Sequence, residues 1–311
     1  MSGGVRTMGT GDIVAAKLQH RRIDLRGKVF EYLLLLSLLI SLLFLAVLLF
    51  EVTSRGIGVF QERGADFLTG RLSVVTAMTA GVGQAIMGSL LVLVVVVLVA
   101  IPIGVGAAIY MEEYAADTKV TRFINVNIRN LAGVPAIVYG LLGLVLFVQI
   151  LPGITGGKTA LTGGLTLAIL VLPIVIITSS EALRAVPDSI REAGIGVGAT
   201  KWEVIRSHVL PSALPGILTG TILSLSRALG ETAPLLLVGA TTGFLATGGA
   251  NFFEMFRDSY TTLPTVIFRW SSLPSADFRA LTSAAILVLL AITILANAAA
   301  IILRNRYERK W

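Results

Sequence analysis

The chain has 311 residues, of which 55% are hydrophobic and 14% are charged, and its mean hydropathy is positive. So much apolar sequence excludes an ordinary soluble domain and predicts a polytopic membrane protein. The absence of cysteine excludes disulfides and thiolate metal sites. The net charge of +7 is not clustered on an aromatic-rich basic face, so it gives no support for nucleic-acid binding.

Apolar runs low in charge divide the chain into membrane spans, each of which needs about 20 residues. The pattern predicts an all-α fold, with a cytoplasmic N-terminal segment at residues 1–29 and a single transmembrane domain at residues 30–311. The six predicted spans are about 32–51, 86–111, 130–151, 161–181, 212–242 and 280–303.

The positions of the basic residues predict the orientation. With six spans, both termini lie on the same side of the membrane, and most of the Lys and Arg residues fall in the segments on that side. By the positive-inside rule, both termini are therefore expected in the cytoplasm.

The outer loop at residues 243–279 is rich in aromatic side chains. The favoured interpretation is an aromatic belt at the membrane interface. The alternative is a short surface helix that receives an external partner. The aromatic residues concerned are Phe244, Phe252, Phe253, Phe256, Tyr260, Phe268 and Trp270.

Two opposite charges interrupt the fifth apolar run. Arg227 and Glu231 are the only Asp, Glu, Lys or Arg residues between Arg206 and Glu254. Placing a charged side chain of this kind in hydrocarbon costs roughly 2.5–3.5 kcal/mol. Their spacing of four places them on one helix face. The planar donors of the Arg227 guanidinium match an oxyanion. Glu231 would take the place of the anion beside Arg227 when the path is empty, and Thr232 could donate a further hydrogen bond to the anion. The alternative is a salt bridge that only neutralises two charges.

The inner loop at residues 186–211 predicts two short helices with a break near Gly198. Pro187 or Asp188 begins the first helix, and Thr200 can cap the second. Such an amphipathic hairpin either lies on lipid or docks into a groove on another protein. Three apolar residues can share one face of its first helix: Ile190, Ala193 and Val197.

This loop resembles the EAA loop of binding-protein-dependent ABC transporter permeases, the segment that inserts into the ATPase subunit. The resemblance rests on Glu192-Ala193, on Gly198 six residues after the glutamate, and on Leu210-Pro211. It departs from the pattern at Gly194, where Ala is usual, and at His208, where Ile is usual. The resemblance implies that one set of residues couples the chain to an ATPase: Asp188, Glu192, Ala193, Gly198, Leu210 and Pro211.

Two further segments resemble the phosphate-specific (Pst) branch of these permeases. They are Leu131–Leu141 and Gly230–Leu236, and the second is similar to PstA-type permease subunits. The resemblance implies a MetI-like permease of an ATP-driven phosphate importer in the bacterial plasma (inner) membrane. It also implies a PstC-type second permease, a PstB-type ATPase dimer and a PstS-type phosphate-binding protein. The alternatives are a permease for sulfate, molybdate or another small solute, and a membrane protein that senses phosphate without moving it.

The chain itself contains no convincing nucleotide-binding motif. Gly153–Thr159 is one residue short of the phosphate-binding loop pattern, and Pro152 replaces a required glycine. We therefore expect a non-enzymatic chain that binds no cofactor, with ATP and Mg²⁺ on the partner ATPase. At the inner end of span four, Glu181 and Arg184 could form a gate, or they could anchor the helix at the interface.

Overall fold

The regular structure is entirely helical in residues 25–240 and 254–307, which the computed structural model describes. Three helices pass into a π-helical turn, at Tyr110–Tyr114, Leu144–Ile150 and Ile205–Val209. The α-helices in these ranges are α1 (Leu25–Arg63), α2 (Ala65–Thr69), α3 (Gly83–Ile109), α4 (Lys119–Ala132), α5 (Ala136–Gly143), α6 (Pro152–Thr155), α7 (Ala160–Arg184), α8 (Asp188–Gly196), α9 (Lys201–Val204), α10 (Leu210–Gly230), α11 (Ala233–Leu237), α12 (Leu263–Ser271) and α13 (Ala276–Tyr307).

Five helical segments are long and apolar enough to cross a membrane, and the number becomes six if the bent pair α4 and α5 counts as one span. The predicted all-α polytopic fold is therefore confirmed. The five segments are Leu25–Arg63, Gly83–Tyr114, Ala160–Arg184, Lys201–Gly230 and Ala276–Arg306.

The third predicted span, at residues 130–151, is wrong at its start. The helix Lys119–Ala132 comes first, and the chain then turns by 101° into Ala136–Ile150. Pro135 causes this turn, because it disfavours the helical conformation at Val134 and cannot donate a backbone hydrogen bond. The sequence analysis treated most of α4 as an inner connecting segment and missed it as a helix.

The fifth predicted span, at residues 212–242, is wrong as one continuous helix. Helix α10 ends at Gly230, and Glu231 is extended with φ −76° and ψ 128°. Pro234 lies four residues after Gly230, so it cannot donate to the Gly230 carbonyl, and its ring would clash with that carbonyl in a helix. Residues 241 and 242 lie outside the described residues.

Helices α3, α7 and α10 pack closely because small residues lie at their contacts. A Cβ atom at Gly104 of α3 would come within 2.6 Å of Val175 Cγ1 in α7. A Cβ atom at Gly216 of α10 would lie 2.7 Å from the Cβ of Ala182 in α7. Such contacts allow helix backbones to approach without a large driving force between them.

The chain divides into two units, residues 1–51 and 52–311. In the first unit, the side chains of residues 25–51 are exposed along one apolar helix, as expected for contact with lipid. In the second unit, the end of α1 packs on α13, where Gly56 lies against Leu287 and Ala284. The same unit contains the α3, α7 and α10 core.

The aromatic-belt interpretation of the outer loop is wrong for two of its residues. Tyr260 and Trp270 are fully buried, and Trp270 Nε1 donates a hydrogen bond to the Ser73 carbonyl at 3.0 Å. Trp270 therefore joins the loop to the segment before α3, whereas Phe268 on the same helix is exposed. Three of the predicted belt residues lie outside the described residues: Phe244, Phe252 and Phe253.

Candidate functional site

Arg227 and Glu231 form the predicted ion pair. Arg227 Nε donates to Glu231 Oε1 at 3.2 Å, and the two side chains are 40% and 19% exposed. Among the residues that the structure describes, Nε is the only side-chain atom of Arg227 with a hydrogen-bond partner. The two terminal nitrogens can therefore still donate to an anion.

The pair lies at a helix end and not in mid-helix. Arg227 is in the last turn of α10, where its charge complements the partial negative charge of the helix C-terminus. Glu231 and Thr232 form the break before α11, and no side-chain cap is made by Thr232. A Cβ atom at Gly230 would meet no atom of the described residues within 4 Å, so the helix end itself is not packed against another described element.

The two segments that resemble Pst permeases contact each other beside this pair. A Cβ atom at Gly140 would lie 2.7 Å from the Pro234 Cα atom. The preceding residue, Tyr139, is buried, and its hydroxyl donates to the Leu131 carbonyl at 2.8 Å. The resemblance concerns the two segments separately, and the fold brings them into contact at Gly140 and Pro234.

An open, mostly apolar groove runs along α10 near the pair. Its volume is about 620 Å³, α7, α10 and α13 contribute to its lining, and neither Arg227 nor Glu231 lines it. Ser226, next to Arg227, donates to Asn297 Oδ1 of α13 at 2.7 Å. Asn297 was not among the predicted site residues, although an amide inside the last apolar run is an unusual feature. The polar lining residues are Thr178, Glu181, Thr219, Ser226 and Asn297.

The structure does not join Glu181 and Arg184 in an ion pair. Arg184 instead makes a bidentate bond to Glu112 at the end of span two, with distances of 2.6 and 2.9 Å. Glu181 lines the open groove along α10. A gating role for these two residues stays a prediction, and Glu112 was not among the predicted site residues.

The predicted hairpin in the inner loop is confirmed. Helix α8 begins after Pro187 and ends before Gly198, whose φ of 86° is a left-handed conformation that side chains other than Gly rarely adopt. Thr200 accepts a hydrogen bond from the Glu203 backbone, and the Glu203 side chain accepts from the Thr200 backbone. This capping box begins α9 where the sequence predicts a helix start.

Most residues with an implied role in ATPase coupling lie on the surface, whereas Leu210 is half-buried and packs against an apolar cluster. The exposed ones are Asp188, Glu192, Ala193, Gly198 and Pro211. Beside them is an apolar groove of about 900 Å³ between α8 and the start of α10. The predicted apolar face is confirmed, because all three of its residues line this groove: Ile190, Ala193 and Val197.

The two departures from the family pattern have different structural settings. Gly194 is buried, and a Cβ atom there would overlap the Val204 side chain of the second hairpin helix. Glycine is therefore required for this packing of α8. His208 lines the apolar groove, and its carbonyl accepts a hydrogen bond from Ser212 at 2.7 Å.

The described residues contain no cluster of candidate metal ligands. In residues 25–240 and 254–307, no group of three or more His, Asp and Glu side chains is placed to hold a metal ion. The Gly153–Thr159 segment forms a turn, in which Gly156 and Gly157 have positive φ and Thr159 caps α7. Thr159, at the end of this segment, therefore starts α7 as its side-chain N-cap.

Apolar helical spans, an ion pair at a break in an apolar segment and an exposed helical hairpin are together typical of a membrane transport permease. Residues 100–310 match the family model of the binding-protein-dependent transport system inner membrane component. The chain belongs to this family and is a multi-pass membrane protein.

Curated relatives include several phosphate permeases. The chain is 32% identical over 282 residues to the phosphate transport system permease protein PstA of Yersinia pestis, a match that covers 88% of each chain. It is 35% identical over 237 residues to PstA of Mycobacterium leprae, covering 75% of this chain and 73% of the relative. It is 36% identical over 205 residues to the probable ABC transporter permease YqgI of Bacillus subtilis, covering 66% of each.

Solved ABC importers share the fold. A bacterial alginate ABC transporter, in complex with an alginate pentasaccharide-bound periplasmic protein, superposes with a TM-score of 0.62 at 16% identity. This match covers 88% of the present chain and 93% of the other. An inward-facing methionine transporter, MetNI, gives a TM-score of 0.55 at 17% identity, covering 74% and 95%. These matches confirm the MetI-like fold.

Proposed function

We propose that this chain is the PstA-type permease subunit of an ATP-driven importer of inorganic phosphate. It lies in the bacterial plasma membrane with both termini in the cytoplasm. The observation that carries the proposal is the Arg227–Glu231 pair at the helix break, where the two Pst-like segments meet. The PstA relatives over most of the chain support the same cargo.

Phosphate passes by exchanging places with the Glu231 carboxylate beside Arg227. The Arg227 guanidinium is a planar fork of donors that matches an oxyanion, and only its Nε atom is held by Glu231. An arriving phosphate takes the terminal nitrogens and then displaces the carboxylate. When the anion leaves, Glu231 neutralises Arg227 again, which keeps the site weak enough to release its cargo.

ATP hydrolysis belongs to a separate PstB-type dimer, which carries ATP and Mg²⁺. It docks on the exposed α8 surface around Glu192, Ala193 and Gly198, beside the apolar groove. A PstC-type permease completes the path, and a PstS-type protein delivers phosphate from outside. The fold-related alginate importer has been solved with a periplasmic protein, which supports this arrangement.

Replacing Arg227 by Gln tests the assignment. We expect loss of phosphate uptake, because the neutral amide cannot offer a charged fork to the anion. Uptake of radiolabelled phosphate into vesicles that contain the reconstituted transporter measures this, while co-purification of the ATPase reports assembly. Arg269→Gln is the matched control, since Arg269 is exposed on α12 away from the pair.

Normal uptake by the Arg227→Gln transporter would contradict the proposal. Competition by sulfate or molybdate separates the cargoes, because a phosphate permease resists an excess of either anion. Deleting the chain separates transport from sensing. A phosphate sensor that moves nothing would leave uptake unchanged when this chain alone is absent.

A further inference from the structure

Three consecutive residues at the end of span two contact the inner loop and the end of the helix that leads into it. They are Glu112, Glu113 and Tyr114, in the π-helical turn Tyr110–Tyr114 that follows α3. Their partners are Arg184 at the end of α7, Arg191 in α8 and Lys201 at the start of α9. One short turn therefore holds the hairpin at both of its helices and at its entry.

The central contact, Glu113 with Arg191, is the most buried. Their side chains are 5% and 20% exposed, and Arg191 Nη2 donates to Glu113 Oε1 at 2.8 Å. Arg191 Nη2 also donates to the Leu183 carbonyl at 2.9 Å, and Nη1 donates to the Val186 carbonyl at 2.8 Å and to Asp188 Oδ1 at 3.1 Å. Hydrogen bonding to Glu113 raises the pKa of the Arg191 guanidinium. Arg191 thus fixes α8 to α3 and to the end of α7 at once.

The flanking contacts have different chemistry. Glu112 binds Arg184 through two nitrogens, which fixes the direction of the guanidinium as well as its distance. Tyr114 presents its ring to the Lys201 ammonium, 5.1 Å from the ring centroid. A charged cavity of about 470 Å³ lies among these side chains.

An apolar cluster lies behind the charged contacts. It contains Ala108 from α3, Leu183 and Val186 from the loop entry, and Val204 from α9. The first turns of α10 also contribute to it through Ala213 and Ile217. Packed interiors of this kind move as a unit because they are not continuously deformable. A displacement of α8 therefore reaches α3 as well as α10.

We propose that the Tyr110–Tyr114 turn receives the movement of the ATPase and passes it to span two, with Arg191 as the positioning residue. This inference rests on the proposed coupling of α8 to an ATPase. Glu192 next to Arg191 points to the surface, so one helix carries an outward ATPase contact and an inward contact with α3. Span two then moves together with span five, because the apolar cluster joins the ends of both to the hairpin.

The test measures transported anion per ATP hydrolysed in the reconstituted complex. Glu113→Gln removes the charge of the carboxylate at nearly constant shape. We expect ATP hydrolysis to continue, while the ratio of phosphate moved to ATP hydrolysed falls by about tenfold, a usual size for coupling between two sites. A role in folding alone would lower both activities together. Asp117→Asn, which breaks the exposed pair with Arg122, is the control and should keep the wild-type ratio.

A second variant decides the outcome if Glu113→Gln fails to assemble. Arg191→Lys keeps the positive charge beside Glu113 and Asp188 but loses the fork of donors that also reaches the Val186 and Leu183 carbonyls, and a lowered ratio with continued ATP hydrolysis supports the inference. A wild-type ratio in either variant, once assembled, overturns it. If the wild-type complex moves sulfate instead, the ratio is measured with sulfate. Failure of the cargo assignment is thus distinguished from failure of this inference.

Discussion

Arg227 and Glu231 are close enough to form an ion pair, and their side chains are exposed enough to solvent for the pair to separate. Their bond of 3.2 Å joins side chains that are only partly buried. Ion pairs with access to solvent contribute about 0.2–1 kcal/mol, so an arriving anion can break this one at small cost. A fully buried bidentate pair would resist displacement by several kcal/mol. The modest strength of the pair thus suits exchange better than permanent neutralisation.

Replacing Glu231 by Gln should slow the release of phosphate from Arg227 more than its binding there. Without the carboxylate, phosphate has no anionic competitor for Arg227. We expect the half-saturating phosphate concentration to fall and the maximal uptake rate to drop about threefold, in line with the energy of an exposed pair. Initial uptake rates over a range of phosphate concentrations measure both quantities. Asp277→Asn, an exposed acidic residue of α13, is the control for loss of a negative charge.

An increase in maximal rate with a weaker apparent affinity would contradict this prediction for Glu231. It would mean that the carboxylate helps to hold phosphate in place, through a shared proton or a water molecule, and does not compete with it. The uptake kinetics of this variant therefore distinguish displacement of Glu231 by phosphate from joint binding of phosphate by Arg227 and Glu231.

At the scale of elements, two short helices carry the contact between the Pst-like segments. Helix α5 presents Gly140 to α11 at Pro234, so that the two backbones touch. Only a residue without a side chain fits there. This contact fixes α11, and hence the Glu231 side of the break, against the third span.

Replacing Gly140 by Ala should destabilise the transporter. The new Cβ would lie 2.7 Å from Pro234 Cα, and overpacking of this kind costs about 1–3 kcal/mol. We expect a lower unfolding temperature in detergent and reduced uptake. The matched control is Gly106→Ala in α3, where a Cβ meets no atom within 4 Å and the helix gains about 0.5–1 kcal/mol. Equal stability of the two variants would show that the α5–α11 contact is loose.

The sequence predicted elements where a local rule decides the backbone. Pro187, Gly198 and Thr200 act within a few residues, so the hairpin they define was predictable. Pro234 obeys an equally local rule, but the apolar run continued past it and suggested an unbroken span. Periodicity alone cannot distinguish a broken apolar helix from a continuous one.

The candidate site was predictable only in part, for reasons of sequence distance. Arg227 and Glu231 are neighbours on the helix surface, and their pairing follows from spacing. Arg191 and Glu113 are 78 residues apart, and Ser226 and Asn297 are 71 apart. A single sequence contains no signal that brings such pairs together, because their contact depends on the packing of whole helices.

At the scale of the whole molecule, the proposed orientation assigns each loop to one side of the membrane. The natural chain has no cysteine, so single cysteines can be introduced without background labelling. We expect Lys158→Cys to react with a membrane-impermeant maleimide in intact spheroplasts. Ser189→Cys should react only after permeabilisation. Both positions are exposed in the structure, so access to reagent is limited by the membrane and not by burial. The reverse labelling pattern would place α8 outside and contradict ATPase docking.

The break after α10 affects how the cargo preference can change in evolution. Pro234 cannot donate to the Gly230 carbonyl, and Gly140 packs against its Cα atom, so the break depends on residues other than Arg227 and Glu231. We therefore expect substitutions at Arg227 and Glu231 to change which anion is bound while the backbone break stays in place.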